Sequence, residues 1–162
     1  ARSPEGGDCT IHSCQGPCVT PADPAVLRRK LAVIAGNLQA LEPIAALSLE
    51  RYRADLFTRK GTERLLQELI EAAIDVNTHL LVQEGHPAPD DYYQGFVMLA
   101  EHGILTQELA TALAPAAGLR NRLVHEYDAI VDAIVLDAVR KAEDLFPKYV
   151  AAIERHLQKM DA

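Results

Sequence analysis

Tryptophan is absent from this 162-residue chain, and aromatic residues make up only 5% of it. Sheets draw on aromatic and β-branched side chains, whereas this sequence is rich in Ala and Leu, so the scarcity argues for helices over strands. Cysteine is confined to Cys9, Cys14 and Cys18, which leaves the long remainder of the chain without disulfides or thiolate ligands. Long apolar runs are missing too. None approaches the roughly 20 residues that cross a bilayer, so no membrane span is expected. The start of the chain carries no apolar signal core, so a cytoplasmic rather than a secreted protein is expected. Positive charge is not in excess: the formal net charge is −7, which argues against a protein that grips nucleic acid by bulk charge. A small basic cleft stays compatible with that total, because fields are screened within about 8 Å at physiological salt.

What is present is the material of one soluble domain. Residues 1–23 are rich in Gly, Pro and Ser and hold all three cysteines with His12 among them. A Cys3His zinc site is conceivable, but the spacing lacks a paired Cys-x-x-Cys knuckle. The expectation is a flexible, cysteine-containing extension before a helical domain over 24–162. Asp23 and Pro24 form a capping pair for a first helix. Leu27, Leu31, Ile34, Leu38, Leu41 and Ala45 then recur in steps of four and three, the seam of a helix packed in a bundle. Pro43 is expected to bend or end it. The charged junction Ser48–Lys60 reads as solvated surface, with a basic rim formed by Arg51, Arg53, Arg59 and Lys60 as the alternative.

A long central helix follows from about Leu56 to Glu84, closed by Gly85. Asp75 and His79 interrupt its apolar stripe four residues apart, hence on one face. A surface Asp–His contact is the plain reading, and an Asp75 that orients an active-site group the functional one. Asp90 is expected to cap a short helix carrying Tyr92, Tyr93, Phe96 and Leu99, with Gly103 as its stop, and Thr106 to cap the next. A last helical region starts near Asp132 and is expected to be split by Pro147. The sum is an all-α, antiparallel bundle of about five helices.

One stretch concentrates chemistry: Gly118 to Asp128, with Arg120, Asn121, His125 and Tyr127. Arginine offers a fixed cationic fork, and histidine exchanges protons near neutral pH. On an ideal helix Arg120 and His125 lie about 140° apart. Either the helix is kinked or ends here, the arginine reaches round, or a second copy brings the groups together. Gly118 and Asp128 at the borders favour an irregular segment. Taken singly, Arg120 could be a salt-bridge partner of Glu126 or Asp128, His125 a satisfied buried residue and Tyr127 a core residue.

The pattern Arg120-Asn121-x-x-x-His125-x-Tyr127 resembles the Arg-x4–6-His motif of the HEPN superfamily, in the Arg-x4-His-x-Tyr form of HepT-type toxins. The resemblance extends to the helical layout of residues 24–160, including the stretch around Asp75. It implies an HEPN-like fold and a metal-independent endoribonuclease needing no cofactor of its own. It further implies a homodimer whose motifs meet in one cleft, and a toxin neutralised by a minimal nucleotidyltransferase antitoxin. On that resemblance Arg120 and His125 are catalytic, Asn121 and Asp75 supporting, and Tyr127 the residue to which the antitoxin transfers adenylate from ATP. RNA supplies its own nucleophile, the 2′-hydroxyl; His125 would act as base or acid and Arg120 would hold the phosphate. The alternative is a non-catalytic HEPN binding module, a partner subunit of a nucleotidyltransferase.

Overall fold

The computed structural model describes residues 23–126 and 128–162, so the cysteine-bearing extension and Tyr127 lie outside the described residues. Among those described there are seven α-helices and no strand: α1 (Pro24–Ala45), α2 (Leu49–Ala54), α3 (Leu56–Gln83), α4 (Tyr92–Glu101), α5 (Gln107–Leu113), α6 (Ala116–His125) and α7 (Asp132–Met160). None of these helices is long and apolar enough to cross a membrane.

The helix starts are written in local polar residues. Asp23, Ser48, Asp55, Asp91 and Thr106 each accept a hydrogen bond from a backbone N–H of the turn they open, satisfying donors that the helix itself leaves unpaired. The cap of α4 is therefore Asp91, one residue beyond the expected Asp90. Gly85 and Gly103 end α3 and α4 at φ +82° and +75°, a region where a side chain would clash with its own backbone.

Seven helices replace the expected five for two reasons. The charged junction contains α2, whose single apolar anchor Tyr52 is fully buried. The polar stretch is a helix of its own, α6. Two expected breaks are absent: α1 passes through Pro43, and α7 runs unbroken through Pro147. Both prolines are solvent-exposed, so the carbonyl that each leaves without a helical partner faces water, and the apolar face on the opposite side holds the helix together.

The body is a three-helix unit. Arg28 pairs with Asp161 at one end of α1, and Arg140 donates to the carbonyls of Ala45 and Leu47 at the other, so α1 and α7 are antiparallel. Lys30 meets Asp75 while Asn37 donates to the Leu65 carbonyl, which makes α1 and α3 antiparallel as well. The expected α1 seam is buried at Leu27, Leu31, Ile34, Leu38 and Leu41. Inside the unit the Tyr149 hydroxyl lies 2.7 Å from Asn77 Oδ1 and 3.2 Å from the Ala73 carbonyl, with Phe96 and Phe146 set edge-on to its ring. The α4–α6 segment forms an arm packed on α3.

Candidate active site

The arm brings the polar stretch to the flank of α3. Ala117 and Leu123 are the buried residues of α6, and they set its rotation. The helix is regular to His125, where the Glu126 N–H closes it on the Arg122 carbonyl at 2.8 Å. The helix is thus not kinked between Arg120 and His125 but ends at His125, the other course expected for this stretch. Gly118 sits inside the helix, because one glycine costs only about 1 kcal/mol there and the packing of α6 on α3 outweighs it.

Regularity fixes directions. Arg120 points at α3: its Nε and Nη2 lie 3.2 and 3.0 Å from Glu71 Oε1. Its Nη1 reaches Asn121 Oδ1 at 3.4 Å, and its guanidinium carbon stands 5.3 Å from the centre of the Tyr92 ring. Only 20% of the side chain is exposed. The ion pair of Arg120 is therefore with Glu71; Glu126 pairs instead with Arg122 at 3.6 Å. His125 points elsewhere. It is exposed, as is Asn121 one turn earlier, and the two share a ridge with Gly118. A Cβ built on Gly118 would meet nothing within 4 Å. Among the described residues no hydrogen bond or ion pair joins Arg120 to His125.

Asp75 lies one turn beyond Glu71 on the same side of α3. Its carboxylate is held by Lys30 at 2.5 Å with 49% of the side chain exposed, and among the described residues it makes no hydrogen bond or ion pair with Arg120, Asn121 or His125. His79 donates from Nδ1 to the Asp75 backbone carbonyl, at 2.7 Å, rather than to the carboxylate. The basic rim of the junction is largely neutralised. Arg53 and Arg59 face Asp132 at 3.6 and 3.8 Å, and Lys60 faces Glu63 at 2.8 Å. Among the described residues no group of three or more His, Cys, Asp or Glu is placed to hold a metal ion.

Two residues of the site escaped the sequence reading: Glu71, which neutralises Arg120, and Tyr92, which lies against it. Glu71 carried a signal. Gln67, Glu71 and Asp75 recur every four residues along α3, and Gln67 donates to Glu71 at 3.1 Å. Such a polar stripe marks where something charged docks.

This arrangement has relatives. A family model described as Ribonuclease HepT-like matches residues 34–158. The chain belongs to the HepT-like family, within the HEPN superfamily. It is 37% identical over 139 residues to a tRNA nuclease HepT of Aphanizomenon flos-aquae, covering 86% of this chain and 95% of that protein. It is 25% identical over 129 residues to an mRNA nuclease HepT of Shewanella oneidensis, covering 80% and 96%. A solved structure of a tri-AMPylated Shewanella oneidensis HEPN toxin in complex with MNT antitoxin superposes with a TM-score of 0.72 at 25% identity, over 80% of this chain and 97% of that one. The HepT-like match spans α6 entire and all but the first turns of α1 and the last residues of α7, so the Arg120–Glu71 contact lies inside the family's own unit.

Proposed function

We propose that this HepT-like chain is a metal-independent endoribonuclease toxin whose catalytic cleft forms between two copies of α6. One observation carries the reading: on a regular helix Arg120 is drawn inward by Glu71 while His125 and Asn121 stand exposed. A second copy laid along the Gly118–Asn121–His125 ridge supplies the missing neighbours. Gly118 leaves room there for a close approach of two backbones. Both histidines then face one groove. His125 of one copy takes the proton of the RNA 2′-hydroxyl, whose oxygen attacks the adjacent phosphorus. His125 of the other protonates the departing 5′-oxygen. Arg120 holds the phosphate and offsets the charge that grows on its oxygens. For this it exchanges Glu71 for phosphate, a swap between two anions that costs little at a site already 20% open to solvent. Asn121 steadies the guanidinium through the contact they already make. Asp75, paired with Lys30, acts at most through Glu71.

Control follows from Tyr127, two residues beyond His125. A nucleotidyltransferase antitoxin that moves adenylate from ATP onto its hydroxyl, releasing pyrophosphate, puts bulk and negative charge at the end of α6 and repels RNA. The AMPylated state and MNT partner of the Shewanella toxin, and the nuclease names of the relatives, support this reading. The Arg120–Glu71 pair favours a second reading, a binding module in which Arg120 is structural. It predicts tight partner binding with no cleavage.

The test is subunit mixing. Purified protein is expected to cut tRNA in the presence of a chelator. Arg120→Ala and His125→Ala are each expected to be inactive, and mixing His125→Ala into the parent protein to lower activity with the square of the parent fraction, because a mixed dimer keeps only one of the two histidines. Activity that falls only in proportion to the parent fraction rejects the shared cleft. Full activity in His125→Ala rejects the mechanism.

A further inference from the structure

Cations on this acidic protein are mostly spoken for. Arg28, Lys30, Arg53, Arg59, Lys60, Arg64, Arg120, Arg122, Lys141 and Lys148 each have a carboxylate within 4 Å. Arg29, Arg51, Arg140, Arg155 and Lys159 have none among the described residues, and of these Arg155 and Lys159 stand one turn apart on the same face of α7. Both line a hollow of about 700 Å³ between α7, α5 and the turn Gly103–Thr106. Lys148 and His156 share its wall, and Glu108 is its acidic member. This hollow continues into a second one of about 400 Å³, with Ala112 and Leu145 as common walls, and the second is rimmed by Lys141 and Arg122.

The order of these cations is regular. Lys141, Lys148 and Arg155 are seven residues apart, so they fall on one face of α7 about 10 Å apart, and the row to Lys159 spans about 27 Å. At its near end stands Arg122, three residues before His125 on the neighbouring ridge of α6. Lys141 and Lys148 meet Asp137 and Asp144 in exposed i,i+4 pairs. Such pairs contribute little and exchange readily for another anion.

We propose that this row is a track for the sugar–phosphate backbone of the RNA substrate, leading from the catalytic ridge along α7 to Lys159. The proposal rests on the ribonuclease reading and adds to it where the substrate lies. Phe146, which lines the second hollow, is buried and offers no open face for bases to stack on, so the track reads charge and spacing and not sequence. It favours long RNA over short RNA. An acidic protein segment is the competing occupant. The second hollow is lined mostly by apolar side chains, but Lys148, Arg155 and Lys159 lie along the first, where evenly spaced point charges on an open face suit a polyphosphate chain.

The test reverses Lys148, Arg155 and Lys159 together to Glu; all three are exposed, so the fold tolerates it, and the matching Gln variants serve as the control for charge reversal. Binding to tRNA is measured in the His125→Ala background across a salt series. Cleavage of tRNA and of a tetranucleotide is measured with His125 intact. Expected are a loss of tRNA affinity of at least about tenfold, a slope of log K against log salt shallower by about 2, and a raised KM for tRNA with kcat kept. Tetranucleotide cleavage stays unchanged. Unchanged tRNA affinity and slope overturn the track. So does intact tRNA binding with lost binding of the nucleotidyltransferase, which makes the row a protein dock. A parent protein that neither binds nor cuts either RNA overturns the ribonuclease reading itself, a result distinct from these.

Discussion

In the α1–α3–α7 body, Tyr149 is fully buried and its hydroxyl is met by Asn77 and the Ala73 carbonyl. On the α6 arm, Arg120 is only partly buried and its partner is a charged, 36% exposed carboxylate, while His125 is open to solvent. Apart from its surface ion pairs Arg28–Asp161 and Lys30–Asp75, the body uses in its interior neutral polar groups whose separation would strand a buried donor or acceptor. The arm uses ions at the surface, whose separation leaves both to water or to a new partner. The first arrangement holds shape; the second can be opened by a ligand without unfolding anything. Polar chemistry in this protein is thus sorted by how costly it is to break.

The sorting predicts opposite outcomes for substitutions in the two regions. On the arm, His125→Asn should lower RNA cleavage by about 10²–10⁴-fold with an unchanged melting temperature, read by single-turnover cleavage and calorimetry. A clear loss of stability would show that His125 belongs to the body's rules. In the body, Tyr149→Phe should cost about 1–3 kcal/mol by stranding Asn77, whose amide nitrogen already lacks a partner among the described residues. Cleavage per folded molecule should not change. Urea melts and active-site titration check the two halves.

The second buried tyrosine sharpens the contrast. Tyr52 is 0% exposed and its hydroxyl has no partner among the described residues. Burial, aided by the nearby carboxylates of Glu63 and Asp132, pushes its pKa up to about 12. A raised acid stays protonated in the fold while the unfolded chain ionises near pH 10. Stability is therefore fully present below pH 10 and falls as pH rises toward 12, by roughly 2 kcal/mol from this group. Tyr149, also raised by burial, adds to the fall. Tyr52→Phe should flatten part of the alkaline decline and cost little at pH 7. A decline as steep as the parent's would remove Tyr52 as its source. The smallest effect is expected at Gly118. Alanine there meets no neighbour and should stabilise the protomer by about 0.5–1 kcal/mol, yet weaken dimerisation measured by ultracentrifugation. Stabilisation with dimerisation intact would move the shared cleft away from this ridge.

Much of this architecture was legible in residue order. The α1 seam, the caps at Asp23 and Thr106 and the stops at Gly85 and Gly103 are local signals, because they depend on the backbone within one turn. Pro43 and Pro147 misled for the same reason. A proline's local penalty is visible, whereas the packed face that offsets it belongs to partners far along the chain. Asp75 stood out as a charge on an apolar stripe, yet its partner Lys30 lies 45 positions away and draws it off from the motif. Glu71 was hidden because its role exists only once α6 is laid across α3.

By itself, then, the sequence determined the all-helical class and most of the helix ends, since periodicity and capping are properties of neighbours. Only the tertiary structure decided that α6 is regular, that Arg120 is held by Glu71 and Tyr92 while His125 faces out, and that a row of cations along α7 runs toward the ridge. These depend on the rotation of one helix against another. That rotation is set by which apolar faces fill the shared core, a choice that no single segment makes alone.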